Sequence, residues 1–360
     1  MTHLDKIMEP EIELVNEALG EYLNMRIESV SHLGDTHTLY YNNIKEYMMR
    51  GGKRLRPILV ITAFKSIRER VDLEYLYRAA CSVELLHNGS LLHDDLIDHD
   101  ETRRGGPTFH ALYREWFRDK IVPDADKAVD FGMTMAILGG DSLLNMGAEI
   151  ISDSHLPAEK AFSCLRYYQL AYKELAEGVL LEMNMVFNPK ATPEQYMEMI
   201  KLKTAVLFEK SLLMGGALAG ATESQLNALS EFGIKVGQAF QIQDDILGSF
   251  GDEDITGKSV DGDIREGKRT MLLLETMHRA DANQLKRLKG LLKKEPMSSD
   301  DVEDVRVLFR ETGALEECKK RMHELLDSGQ DSLRKATPKL REPYLSFLIE
   351  LSDFLIKRDY

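Results

Sequence analysis

The residues in this chain best suited to chemistry sit in the run Leu91 to Gly106, "LLHDDLIDHDETRRGG", which begins apolar and ends in acids followed by two adjacent arginines. On a helix, residues four apart share a face about one turn apart, so Asp94 and Asp98 would project into the same space. Carboxylates at a helix C-terminus oppose the macrodipole, so a compensating cation is expected there. Magnesium suits the arrangement, because it takes oxygen ligands, needs few protein carboxylates and completes its shell with water and substrate phosphates. A second acidic pair, Asp244 and Asp245, again stands late in an apolar helical stretch. Two such clusters with metal between them would suit a diphosphate.

Basic groups are placed to meet it. Lys53, Arg54 and Arg56 lie in "GGKRLRP", Arg103 and Arg104 follow the first acidic run, Lys203 stands in "KLKTAVLF", and Lys258 and Lys268 lie in a glycine-rich stretch. Most fall in loops or at helix ends beside glycines, where phosphate oxygens can be reached.

The elements that must carry these residues read as helices. Helical periodicity runs over about 11–31, 43–50, 73 into the acidic run, 127–152, 157–187, 193–221 and 223–247, and resumes from Thr270. Strand signatures are nearly absent, and 248–269, "GSFGDEDITGKSVDGDIREGKR", reads as a long functional loop. The expected architecture is one all-helical domain over 1–360, with 112–131 reading as an inserted segment of unassigned role.

Composition sets further bounds. Apolar residues at 43% and charged residues at 29% are globular values. A net charge of −14 argues against nucleic acid as a partner. Cys81, Cys164 and Cys318 are too dispersed for a disulfide framework, which points to a reducing, cytoplasmic setting. The opening "MTHLDKIMEPEIELVNEAL" has acids where a signal peptide would be basic, and no apolar run is long enough for a membrane span.

In "GGKRLRP", "ELLHNGSLLHDDLIDHDETRRGGPTFH", "KT" at 203–204, "AFQIQDDILG", and "GK" at 257–258 and 267–268, the chain resembles the trans-isoprenyl diphosphate synthases, or polyprenyl synthetases, of short-chain geranylgeranyl or farnesyl type. The resemblance implies an all-α homodimer of the isoprenoid synthase fold, each subunit a helical bundle around a central cavity. It implies Mg²⁺, three ions with bound diphosphate, with Mn²⁺ able to substitute. Asp94, Asp98 and Asp244 would be the metal ligands, supported by Asp95 and Asp245. Arg103, Lys203 and Lys258 would hold the allylic diphosphate, and Lys53, Arg56, His87 and Arg104 the isopentenyl diphosphate. Thr204 and Gln241 would line the reacting centre, and Lys268 would close the loop over the leaving group. The implied reaction condenses isopentenyl diphosphate with an allylic diphosphate into an all-trans prenyl diphosphate.

Three positions depart from the family pattern. Gly248 stands where many members have a third aspartate, and "GVLLE", Gly178 to Glu182, replaces the frequent "GQxxD", so that Val179 cannot hydrogen-bond and Glu182 is one methylene longer than aspartate. In this family the residue at Gly89 often floors the chain pocket. Glycine leaves that floor open, Leu86 and Leu85 one turn further are the next stops, and a product of twenty carbons or more is expected.

Other readings account for less. His87 and "HD" at 93–94 suit a helical HD-type phosphohydrolase but leave the arginine pair and second "DD" unexplained. A non-catalytic regulatory subunit would be expected to lose its metal aspartates, and a terpene cyclase needs a second metal motif absent here. "GDIREGKR" lacks the Ser or Thr and the preceding strand of a P-loop. Trp116 and the methionines read as packing groups, and His110 reads equally as structural or near the site.

Overall fold

The computed structural model describes residues 3–69, 73–188, 190–251 and 261–356. The expected all-α class is borne out: among these residues the extended structure is one two-residue hairpin, Thr102–Arg103 against Gly106–Pro107. The chain forms two compact units, Met1–Gln169 with Ser211–Ala221, and Leu170–Lys210 with Thr222–Tyr360.

The first unit contains α1 (His3–Val30), α2 (Asp35–Met49), α3 (Leu55–Lys65), α4 (Leu73–Ile97), α5 (Phe109–Lys120) and α6 (Ala125–Ser152). Helix α4 carries the first acidic run and packs along α6. Glycines set the closeness of that approach: a Cβ on Gly139 would lie 2.7 Å from Leu92, and one on Gly140 would overlap the His93 ring. The 112–131 segment joins the end of α5 to the start of α6 through a short connection at 121–124, with Trp116 stacked on Phe131 at 5.8 Å and Phe117 4.9 Å from the same ring. Helix α2 begins eight residues before the periodicity suggested, because its first turns, "DTHTLYYNN", are polar and exposed or half-buried and carry no apolar stripe.

Helix α7 (Ala158–Phe187) runs from the first unit into the second, where α8 (Pro193–Ile200) leads through a π-helical segment, Lys201–Ala205, into α9 (Val206–Ala219). Thr192 starts α8 with a capping box to Gln195 and Pro193 at its first position, and Thr222 with Gln225 does the same for α10 (Glu223–Phe250). Beyond it come α11 (Gly262–Arg265), α12 (Met271–Arg279), α13 (Ala282–Leu291), α14 (Ser299–Glu311), α15 (Ala314–Arg334) and α16 (Tyr344–Ile356). Helix α10 thus extends to Phe250, into the stretch read as a long loop; of that stretch 252–260 lie outside the described residues, and Gly262–Arg265 form a short helix. Helix α15 packs along α10, the helix bearing the second acidic pair. Among the described residues no helix is long and apolar enough to cross a membrane, and all three cysteines are buried and free.

Candidate functional site

In the first unit the acidic run divides into a buried and an accessible part. Asp95 is fully buried and accepts hydrogen bonds from the Tyr47 hydroxyl at 3.0 Å and from Arg103 Nε. Burial raises its pKa, and the Arg103 and Tyr47 contacts oppose that rise. Asp94 is half-buried and Asp98 exposed. Although α4 ends at Ile97, the Asp98 amide still donates to the Asp94 carbonyl at 2.8 Å. The helical turn relating the two carboxylates therefore continues through Asp98.

After this turn the chain doubles back through the hairpin, with Arg104 (φ 50°) and Gly105 (φ 72°) in the left-handed region. Arg104 donates to the Gly51 carbonyl at 3.0 Å and to Asn88 at 3.2 Å. Gly51 and Gly52 both take positive φ, 100° and 127°, which favours glycine at each where the loop passes over Arg104. Lys53 is exposed and Arg56 half-buried. His87 is held neutral, its pKa well below the usual imidazole value, first by burial and then by Arg56, Arg104, Arg103 and Arg54. The expected members His87, Arg56, Arg103 and Arg104 therefore form one electrostatic neighbourhood.

Arg54 serves the scaffold. It is buried, pairs with Glu84 at 2.7 Å, and also donates to Asn16 and to the Met48 carbonyl. Asn88 donates to the same Glu84 carboxylate at 3.1 Å, so Arg54, Glu84, Asn88 and Arg104 make one chain of contacts. Asn88 and Gly89 both lie within α4.

The space beside Gly89 is filled. A Cβ there would lie 3.0 Å from the Gly140 carbonyl and 3.2 Å from both Leu143 and Leu144. The missing side chain lets α4 pack closely on α6. Leu85 and Leu86 are fully buried.

The second unit repeats the division. Asp245 is buried and accepts from the Tyr196 hydroxyl, from the Met271 amide at 3.1 Å and from Gln241 at 3.3 Å, while its neighbour Asp244 is half-buried. Burial pushes the Asp245 carboxyl up to about 7; Tyr196, Met271 and Gln241 counter this and Asp263 adds to it. Gln241 also accepts a hydrogen bond from Thr204 at 2.9 Å, which brings these two expected residues together. Lys203 pairs with Glu182 at 2.6 Å. Lys268 is exposed, 3.7 Å from Asp263. Lys258 lies outside the described residues.

A Cβ on Gly248 would lie 2.8 Å from the Asp263 carboxylate, which places an acid from α11 beside position 248. Tyr47, Tyr196, Asp263 and Glu182 were not singled out as site residues by sequence. Only Glu182 carried a signal, as an acid one methylene longer where the family pattern has aspartate.

The donors fit magnesium in kind. They are carboxylate oxygens, with Asp94 and Asp98 one turn apart. Among the described residues no three ligand-type side chains are gathered; magnesium is commonly bound through one or two carboxylates and substrate phosphates.

Comparison with known proteins agrees. The polyprenyl synthetase family model matches residues 37–309. The chain is 35% identical to the short chain isoprenyl diphosphate synthase of Methanocaldococcus jannaschii over 73% of its own length and 74% of that protein. It is 30% identical to the geranylgeranyl pyrophosphate synthase of Geoglobus acetivorans, covering 99% of this chain and all of that one. The crystal structure of Corynebacterium glutamicum geranylgeranyl pyrophosphate synthase, complexed with isoprenyl diphosphate and magnesium, superposes with a TM-score of 0.89 at 29% identity, covering 99% of this chain and 100% of that one.

Proposed function

The chain belongs to the polyprenyl synthetase family, and from that premise we propose that it is a trans-prenyltransferase joining isopentenyl diphosphate to allylic diphosphates to give an all-trans prenyl diphosphate of geranylgeranyl length or longer. The observation that carries this reading is the shared design of the two acidic pairs. In each, the second aspartate is buried and bonded to a tyrosine hydroxyl. The first, about 100° round the helix, is half-buried.

On this reading Asp94, Asp98 and Asp244 hold Mg²⁺, and Mn²⁺ can replace it. The metal, when bound, neutralises charge developing on the departing diphosphate. Arg103, Lys203 and Lys258 hold the allylic diphosphate, and Lys268 closes over it. Asp95 orients Arg103 toward that task. Lys53, Arg56, Arg104 and neutral His87 hold isopentenyl diphosphate. As the allylic C–O bond ionises, the alkene of isopentenyl diphosphate attacks the cation, and the lost proton passes to the released diphosphate. Thr204 and Gln241, bonded to each other, line the reacting centre, from which water must be kept out. The family match runs unbroken through both compact units, which supports reading 1–360 as one synthase domain. Buried free cysteines support a cytoplasmic setting.

The test is product analysis with Mg²⁺, isopentenyl diphosphate and dimethylallyl, geranyl or farnesyl diphosphate. A discrete prenyl diphosphate that vanishes with EDTA is expected. Diphosphate release without chain growth would point to a hydrolase or cyclase, and no turnover with any starter to a regulatory subunit.

We also propose a homodimer. Val129, Met133 and Ile137 recur every four residues along α6 at 55%, 43% and 44% exposure, with Leu138 beside them at 50%. An apolar stripe of this kind suits a second copy of the chain. Sedimentation should give twice the 41.0 kDa chain mass, and a monomer at micromolar concentration would remove the idea.

A further inference from the structure

Lys203 stands in the middle of the π-helical segment Lys201–Ala205. Single-turn π-bulges place one extra residue in a helix and re-aim its neighbours. Two glycines press on this one. A Cβ on Gly178 of α7 would press on the Lys203 amide and lie 2.8 Å from the Leu202 carbonyl carbon. A Cβ on Gly237 of α10 would lie 2.5 Å from Ala205 Cα. The backbone under Lys203 is therefore fixed from both sides, while its four-carbon side chain keeps its rotamer freedom unless something holds the ammonium.

Glu182 holds it. One turn after Gly178 on α7, its Oε2 lies 2.6 Å from Lys203 Nζ, with the side chains 18% and 21% exposed. Val179, between them, offers no side-chain hydrogen bond. We propose that Glu182 is a positioning residue for Lys203, aiming the ammonium at the allylic diphosphate. The inference rests on the assignment of Lys203 to that diphosphate. An ammonium has three donors, so Lys203 can keep Glu182 and still donate to phosphate oxygens. The extra methylene of glutamate supplies the reach, and Glu182→Asp would draw the carboxylate back by about 1.5 Å.

Two effects oppose one another here, which makes the idea testable. Removing Glu182 takes a negative charge away from an anion site, and electrostatics alone would then tighten diphosphate binding. Loss of aim would weaken it. Positioning predicts that weakening wins, since a charge-assisted contact at this burial is worth on the order of a tenfold change in affinity.

The experiment compares wild type, Glu182→Ala, Glu182→Asp, Glu182→Gln, Lys203→Met and the Glu182→Ala/Lys203→Met double variant. Geranyl diphosphate is varied at fixed isopentenyl diphosphate, and then the reverse. Calorimetry of inorganic pyrophosphate with Mg²⁺ gives a readout independent of turnover. Glu182→Ala and Glu182→Asp should raise the KM for geranyl diphosphate about tenfold and leave that for isopentenyl diphosphate unchanged. Glu182→Gln, which keeps an acceptor, should fall midway, and the double variant should be no worse than Lys203→Met.

Tighter pyrophosphate binding by Glu182→Ala, equal rises in both KM values, or additive losses in the double variant would each overturn the proposal. If Glu182→Ala does not fold, the Gln and Asp variants carry the same comparison. A wild type that binds pyrophosphate yet forms no prenyl product would sink the proposed function, leaving the Glu182 to Lys203 coupling to be judged from pyrophosphate binding.

Discussion

Asp94→Ala is expected to lower turnover by roughly a hundred- to a thousandfold, the loss seen when one group stabilising developing charge is removed from a preorganised site. The fold should be little changed, because Asp94 is only half-buried, whereas Asp95 is fully buried and bonded to Tyr47 and Arg103. The contrast with Asp95→Ala is the sharper test. That change empties a fully buried position and leaves the Tyr47 hydroxyl and Arg103 Nε without their shared acceptor. It should therefore cost both stability and turnover. Thermal unfolding beside single-turnover kinetics separates the two, with Mg²⁺ titrated in each. Equal unfolding temperatures for both variants, with equal rates, would mean that the division of labour within the pair is wrong.

The largest effect on stability is expected at Arg54. Its side chain and that of Glu84 are 1% and 3% exposed and 2.7 Å apart. Arg54→Met would leave the Glu84 carboxylate buried without its cation, a change that costs about 3–5 kcal/mol, and would also strip Asn16 and the Met48 carbonyl of a donor. Glu84 is itself an acceptor for Asn88, which meets Arg104, so diphosphate binding should suffer in the same variant. Replacing both partners, as Arg54→Met with Glu84→Met, should recover much of the loss, since the orphaned charge is then gone. Urea unfolding measures both. A single variant costing under about 1 kcal/mol would show that the pair is not the pillar its burial implies.

The contrast between Asp94 and Arg54 shows what could be read from the sequence. Asp94, Asp98, Arg103, Lys203 and Asp244 stood out as candidates because their sequence signals are local: acids one turn apart, arginines beside glycines, and a lysine within an apolar run. The helices bearing them were legible because their apolar faces repeat with helical period. Arg54 looked like one more phosphate-binding cation in "GGKRLRP" and is instead a buried strut, because Glu84, thirty residues away, leaves no mark in its neighbourhood. Tyr47 and Tyr196, which hold Asp95 and Asp245, were illegible for the same reason. Each is a single polar atom on an otherwise ordinary helix, meeting its partner 48 or 49 residues away. The space beside Gly89 depends on how closely α6 approaches, and periodicity does not report distance.

The π-helical segment also ties α8 to α9 in a way a regular helix could not. One residue added to a helix turns everything beyond it by about 100°, so α8 and α9 are out of phase by that amount. Tyr196, before the segment, bonds Asp245, and Lys203, within it, meets Glu182. A straight helix could keep the first partner or the second. Deleting a single residue such as Leu202 would thus act as a gear slipping one tooth, and point changes would not repair it. The spacing from Tyr196 to Lys203, and from Lys203 to the core of α9, matters as much as the identities of Tyr196, Lys203 and Thr204: drift in type at the positions between them can be tolerated, but drift in length cannot.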